Sequence, residues 1–599
     1  MNAEDDAGLE WDASGAPRSR RFGDIYFSRE DGLAESRAVF LAGCGLPQAW
    51  RQRRHFTVAE LGFGTGLNIA ALLDLWRREG PADGRLHIFS VEAYPLRRGE
   101  AARALAAWPD ISQAADALLA AWPTQARGVR RVDLPGWRAT LDLAVTDAVE
   151  ALTGWDGRAD AWFLDGFAPS TNPGMWREEV LALVAARSAP GARIATFTVA
   201  GAVRRGLQAA GLAVEKRPGH GRKRERLEVR APGEGCDPPK PGRVAIVGAG
   251  IAGAALARAF DALDVEVCVL SGVGGAPAAS GNPSALVTPR LDAGGGPVVE
   301  LSAACFVRAA ELYRAAREAI VAEGALQLEA AARDRSRFDR LASDPLYRDC
   351  GLERLDPAAA AARLGEPSNV GGLWMEHALV MQPAAVLQAW LGRATPVRQQ
   401  VAAVAREDDE WRLYDPDGAP IIAADQVVFA AGYAARDLAG VNLQAVRGQA
   451  SWATRREHPA AAAWGGYLTP TREGLLFGAT HDRDDLSVDV REEDHRRNLD
   501  ELARRRPALA ASLGLVQLEG RAAVRATTAD RLPIAGKIGA PGLSVLGGLG
   551  GRGFTFAPLL AEHVAATLCG LPSPLPLALQ GLVDPGRFAR RNSAQGPSG

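Results

Sequence analysis

The sequence predicts an α/β protein of two nucleotide-binding domains, each on a Rossmann-like sheet, the second carrying an inserted α+β subdomain. Three observations predict it. Two glycine-rich loops, Glu60-Leu61-Gly62-Phe63-Gly64-Thr65-Gly66 and Gly248-Ala249-Gly250-Ile251-Ala252-Gly253, each follow an apolar strand-like run and open a helix-like run. A stretch rich in proline and glycine, 233–242, lies between them and can sustain neither a helix nor a central strand. After the second loop a single βαβ unit, 244–270, gives way to a long mixed segment, and nucleotide-type motifs return only near residue 520.

The chain therefore divides into 1–232, a linker at 233–242, and 243–590 with a substrate subdomain at roughly 300–500. Its 599 residues exceed one ordinary hydrophobic core. A composition of 47% hydrophobic and 23% charged residues is that of a soluble globular protein. The six cysteines are scattered without a CxxC pair, which argues against a zinc site or a disulfide framework and suits a reducing, cytoplasmic setting. Cys268, in an apolar strand, reads as a buried thiol. The N-terminus is acidic and has no apolar core, so it is no signal peptide, and no stretch reads as membrane-spanning. Net charge is −2, but 216–226 is densely basic. That run is either a solvated hairpin or a contact for phosphates.

In the first half, strands are expected at 55–60, 86–92, 141–146, 161–165 and 192–198, alternating with Ala/Leu-rich helices in the pattern of a parallel sheet. Glycines in the first loop let the backbone turn sharply and approach a ligand. Glu60 at the strand end and Glu92 at the end of the next strand suit the amino group and ribose hydroxyls of a nucleotide-like cofactor. Alone, that pairing fits S-adenosylmethionine or NAD. Asp165 ends a further strand and opens Asp165-Gly166-Phe167-Ala168-Pro169, where a carboxylate can hold an amine and accept its proton as it is methylated. Asp165, and more so Asp147, could instead be turn or helix-cap acids.

These residues carry a resemblance. Leu9 to Trp11, Asp24 to Ser28, Gly32 to Phe40, Glu60 to Asn68 and Phe163 to Pro169 together resemble the methyltransferase half of the MnmC family, bifunctional enzymes of tRNA wobble-uridine modification. The resemblance implies S-adenosylmethionine held by Glu60, Gly62, Phe63, Gly64, Gly66, Asn68, Glu92 and Asp147, with Asp165 catalytic. It also implies tRNA contacts from the basic region at Arg222, Lys223 and Arg224.

The second loop, Gly248-x-Gly250-x-x-Gly253, is a dinucleotide fingerprint whose helix N-terminus would take a pyrophosphate. By itself it fits FAD or NAD. The next strand ends in Ser271, not the usual acid, so Ser271 is the candidate ribose contact. Three later segments favour FAD. Ala279-Ser280-Gly281-Asn282-Pro283, the stretch 527–536, and Gly547-Gly548-Leu549-Gly550-Gly551-Arg552-Gly553 resemble flavin-contacting segments of the glycine oxidase and D-amino-acid oxidase group. Arg447-Gly448-Gln449 and 478–485 are similar to the oxidoreductase half of MnmC. The implied FAD contacts are Gly248, Gly250, Ile251, Gly253, Ser271, Ser280, Gly281, Asn282, Gly550, Gly551 and Gly553. The implied substrate bears a carboxylate, so a guanidinium clamp is expected, with Arg525 the first candidate and Arg552 the second.

The whole resemblance implies two reactions on one tRNA base. FAD-dependent removal of a carboxymethyl group at a CH–NH bond precedes methylation of the freed amine from S-adenosylmethionine. The expected partner is tRNA, with no DNA, metal or membrane, and the chain is expected to be a monomer. A fusion acting on free glycine-like amines stays open beside this reading, although the basic stretch counts against it. So does a chain with one half reduced to a tRNA-binding scaffold, for which the missing acid after Leu270 is the only sequence support.

Overall fold

The computed structural model describes residues 8–594 except 13–14, 29, 123–125, 222, 240, 273–278, 393, 395 and 457. The chain forms two compact units, Met1–Pro239 with Leu571–Leu577, and Lys240–Gly570 with Ala578–Gly599. The return of Leu571–Leu577 to the first unit leaves no mark in the sequence. Ser573 N–H donates to Asp156 there at 3.0 Å.

The first unit is an eight-stranded sheet with helices on both faces. Five strands run parallel, in the spatial order Ala139–Val145, Arg85–Val91, His55–Leu61, Ala159–Leu164 and Ser188–Thr196. Strands buried on both faces read as continuous apolar runs, which is why the sequence exposes them. Alternation then distributes the side chains: Phe56 and Val58 join one core, Ala59 and Leu61 the other. Two antiparallel edges were not foreseen as part of this sheet. Gly128–Leu134 adds to one side, and the hairpin Ala213–Pro218 with Glu225–Arg230 adds to the other. The expected linker is tied down at Asp237, whose carboxylate accepts from Arg53 Nε (2.9 Å) and the Arg54 backbone N–H (2.9 Å).

The second unit contains a six-stranded sheet in the order Val397–Arg398, Val267–Ser271, Val244–Val247, Gln426–Phe429, Leu543–Gly547 and Ile534–Lys537. Only the last strand is antiparallel to its neighbour. A ten-stranded mixed sheet reaches from Ala285–Val287 to Glu519–Thr527, and a three-stranded sheet spans Ala403–Glu407, Glu410–Tyr414 and Pro420–Ala424. The substrate sheet thus begins before residue 300 and ends after 500, while 397–429 returns to the other two sheets. Three helices, Ile251–Asp261, Pro297–Ala315 and Gly553–Leu568, are joined by a buried cluster. Glu562 accepts from Arg308 at 2.8 and 3.0 Å and also from Arg258. Removing one partner of such a buried pair costs about 3–5 kcal/mol, because the other charge is stranded. Cys268, expected to be buried, is half-buried.

Candidate active sites

The first site lies at the carboxyl ends of the parallel strands. Glu60, near the end of His55–Leu61, is fully buried and accepts from the Ser90 hydroxyl at 2.6 Å and the Asn68 amide at 3.2 Å. The same Asn68 nitrogen donates to Asp165 at 2.7 Å. One amide therefore links carboxylates from neighbouring strands. Burial, with Asp165 adding to it, pushes the Glu60 carboxyl up to about 8, and burial pushes Asp165 up to about 6. Glu92 accepts from the Gly64 N–H at 3.0 Å and the Tyr94 N–H at 2.9 Å, and burial raises it above the usual carboxylate range.

The glycines between these acids are there for backbone reasons. Gly62, Gly64 and Gly66 have φ of 89°, 51° and 76°, and a Cβ on Gly62 would stand 3.0 Å from the Gly166 backbone. The helix Leu67–Glu79 opens at Gly66 without a side-chain cap, which leaves its first N–H groups for a ligand. Phe63 is buried against Trp122. An uncapped helix start beside several acids can take a cofactor with an amino group and hydroxyls.

The second site is built around a tighter cradle. A Cβ on Gly253 would lie 1.8 Å from the Gly248 carbonyl oxygen, and one on Gly248 2.4 Å from that of Ala430. Gly250 is less constrained, 3.2 Å from the Ser280 hydroxyl. The helix Ile251–Asp261 has no cap of its own, and Ser280 from a distant loop accepts its Ile251 N–H at 3.1 Å. The late turn Gly550–Arg552 leads into Gly553–Leu568, where a Cβ on Gly553 would come within 3.2 Å of Ile251. Two helix N-termini thereby converge, a setting that favours negative charge.

Arg525 reaches this turn. A Cβ on Gly448 would meet its Nη2 at 1.6 Å and one on Gly551 its Nη1 at 3.5 Å, so the guanidinium lies over Gly448 and points toward Gly551. Its Nη2 donates to the Thr480 carbonyl at 2.8 Å, and it forms no ion pair among the described residues. Tyr467 lies within its field, and Asn282 hydrogen-bonds the Tyr467 hydroxyl. Arg552 instead donates to the carbonyls of Thr288 (3.3 Å) and Pro289 (3.2 Å), fastening that segment to the turn.

A dinucleotide cradle, a distant glycine turn and an unpaired arginine pointing toward it describe an amine oxidase joined to a methyltransferase, and the comparisons agree. Residues 109–232 match the family described as S-adenosyl-L-methionine-dependent methyltransferase, and 243–567 match FAD dependent oxidoreductase. A tRNA 5-methylaminomethyl-2-thiouridine biosynthesis bifunctional protein MnmC from Caulobacter sp. (strain K31) is 59% identical, over 97% of this chain and 98% of that one. The chain belongs to the MnmC family. A second MnmC, from Caulobacter vibrioides, is 58% identical over 97% of each chain. Fructosyl amine: oxygen oxidoreductase (Amadoriase I) from Aspergillus fumigatus shares the fold of 59% of this chain and 92% of its own, with a TM-score of 0.50 and 16% identity. The cofactors of this chain are S-adenosylmethionine and FAD.

Other expected residues have protein partners of their own. Asp147 caps the helix Ala148–Gly154 through the Val149 N–H (2.9 Å) and pairs with Arg177 (2.7 Å). Lys223, which is exposed, pairs with Glu35 at 2.8 Å and lies 4.1 Å over the Phe197 ring. Lys216, Arg217 and Arg226 in the same hairpin also pair with carboxylates, and Arg224 is exposed. Arg222 lies outside the described residues. Ser271 ends its strand beside Arg398, and Gly281 follows Ser280 in the loop over the fingerprint helix. Buried Arg447 is structural, clipping Asp494 at 2.6 Å and the Asp489 carbonyl at 2.6 Å.

An aromatic cluster beside the first site was not expected from the sequence. Phe22, Tyr26 and Phe167 cluster with ring centroids 4.9 and 5.1 Å apart, and a Cβ on Gly64 would lie 3.2 Å from Tyr26. Asp24 accepts from the Ala168 N–H at 3.0 Å, joining this segment to the loop after Asp165. Phe22 and Tyr26 lie in an N-terminal segment of little regular structure, which no periodicity marks, while Tyr26 and Phe167 fall within the segments that carried the resemblance.

Proposed function

We propose that this chain converts 5-carboxymethylaminomethyl-(2-thio)uridine in tRNA to 5-methylaminomethyl-(2-thio)uridine in two steps, in the cytoplasm. Unpaired Arg525 beside the late glycine turn is the observation that carries the reading. A half-buried guanidinium with no ion pair among the described residues suits a carboxylate, and the carboxymethyl group supplies one. FAD, held by the Gly248, Gly250 and Gly253 cradle, supplies the two-electron acceptor. Arg525 fixes the carboxylate so that the methylene hydrogens of the carboxymethyl group face the turn at Gly550 and Gly551. Loss of a hydride equivalent and an N–H proton, followed by addition of water, releases a two-carbon oxo acid and leaves the aminomethyl base.

The freed amine then binds at Asp165. S-adenosylmethionine, held through Glu60, Glu92 and the loop glycines, supplies the methyl group. Asp165, titrating near 6, is ionised at neutral pH and takes the proton that the amine loses on methylation. Asn68 holds that carboxylate in place, while Tyr26 and Phe167 offer faces for the extruded base. The two reactions share one substrate, which gives the fusion its chemical logic. Nucleoside mass spectrometry of tRNA from cells lacking the protein tests the reading. The carboxymethylaminomethyl base should accumulate, and unchanged tRNA would overturn it.

A further inference from the structure

Acids around the oxidase turn are neutralised by particular arginines, and two other arginines are left over. Asp482 pairs with Arg497 at 2.9 Å, Asp485 with Arg491 at 2.7 Å, and Asp530 with Arg587 at 2.9 Å. Arg483 and Arg531, adjacent to these acids in sequence, are exposed and form no ion pair among the described residues. Exposed Asp484 is the remaining carboxylate beside them.

Sheet register fixes where Arg483 stands. Val446 is directly opposite Arg483 on one side and Arg525 on the other. Directly opposed residues of antiparallel strands share a face, so both arginines flank Val446 on one face, two strand spacings or about 10 Å apart. Arg525 is the inner of the two, with Gly448 making room beneath it. Arg531 sits in the turn that follows Thr527, which bridges Leu549 of the late glycine turn. That turn is fixed from below, since Thr528 and Arg587 both bond Asp530, and Arg531 is held at a φ of 60°. An arginine in this left-handed conformation costs about 1 kcal/mol or more, an expense that the clamped turn sustains. His481 registers the combined field: burial, then Arg525, Arg483 and Arg531, lower its pKa.

We propose that Arg483 and Arg531 form a phosphate-binding rim at the mouth of the oxidase site, gripping the RNA backbone on either side of the base whose carboxylate Arg525 takes. The inference rests on the tRNA reading above, and it adds a backbone contact in the oxidase unit separate from the basic hairpin of the first. Extruding one base brings its flanking phosphates to the rim of the pocket. Guanidinium groups suit phosphates, and each such contact adds about one to the salt slope of binding.

Anaerobic flavin reduction by tRNA bearing 5-carboxymethylaminomethyluridine tests it, because this signal reports the oxidase alone. In the holoenzyme carrying R483Q and R531Q, the second-order reduction constant should fall about tenfold at 0.1 M salt. Its dependence on log salt should flatten by about two, and the limiting rate at saturating RNA should hold. The double lysine variant, R483K with R531K, should recover most of the salt slope. An unchanged constant and slope, or a limiting rate that falls in step with the second-order constant, overturns the rim. If wild-type flavin is not reduced by this tRNA at all, the tRNA reading itself fails.

Discussion

The two glycine loops solve one problem with opposite materials. Around Gly62, Gly64 and Gly66 the site is lined with acids, and Asn68, Ser90 and backbone N–H groups hold them in place. Around Gly248, Gly250 and Gly253 the walls are backbone and a serine, with no acid at the end of the following strand. A cofactor with an amino group and a cationic sulfur suits acidic walls; a pyrophosphate suits bare N–H groups and helix dipoles. The charge of the ligand thus explains the difference in lining better than the shared glycine pattern does.

Breaking the acidic side should have the largest effect. Asp165→Ala removes the proton acceptor and should lower methyl transfer by about a hundredfold or more, leaving flavin reduction intact. In the wild type, methyl transfer should rise with pH through about 6 as Asp165 ionises. A variant that still methylates at the wild-type rate would remove Asp165 from the chemistry. On the other side, Arg525→Met should slow tRNA-driven flavin reduction by about a hundredfold, roughly 3 kcal/mol, while methylation of an aminomethyl tRNA continues. Equal loss in both assays would mean a folding defect.

Glycine substitutions should separate the cradle's tight and loose positions. Gly253→Ala places a Cβ 1.8 Å from a backbone oxygen and should yield a colourless protein. Gly250→Ala faces a serine hydroxyl at 3.2 Å that can swing away, so it should retain part of its flavin absorbance. Flavin content in the reverse order would show that the fingerprint is misread.

Glu60 sharpens the comparison through pH. Between the ordinary carboxylate range near 4.5 and about 8, the folded chain keeps a proton that the unfolded chain has lost. Cofactor-free stability should therefore fall as pH rises through that window, and Glu60→Gln should flatten the fall. Melting curves of both proteins at pH 5 and pH 8 check this, and parallel pH slopes would contradict it. Asp147→Asn should change least. Asparagine still caps the helix and the lost Arg177 pair is exposed, so stability should shift by less than about 1 kcal/mol and S-adenosylmethionine affinity should hold.

Local chemistry made both glycine loops and the parallel strands legible in the sequence. Positive φ at Gly62, Gly64 and Gly66 demands glycine wherever the fold places it, and strands buried on both faces are apolar throughout. Glu60, Glu92 and Asp165 were legible too, as acids at strand ends. In the basic hairpin, sequence counts Lys223 and Arg226 as charges but does not show the Glu35 and Glu228 that pair with them in the fold. Tyr26 and Phe167 lay in segments that carried the resemblance, but their packing against each other and Phe22 was not legible.

By itself, then, the sequence determined two cofactor loops, their order and the acids of the first, since each depends on residues close together in the chain. Only the tertiary structure decided that Asn68 joins Glu60 to Asp165, that Arg525 lies over Gly448 and points toward Gly551, and that Arg483 shares its face. Those relations come from strand order and cross-strand register, which bring distant residues opposite one another and which no local pattern encodes.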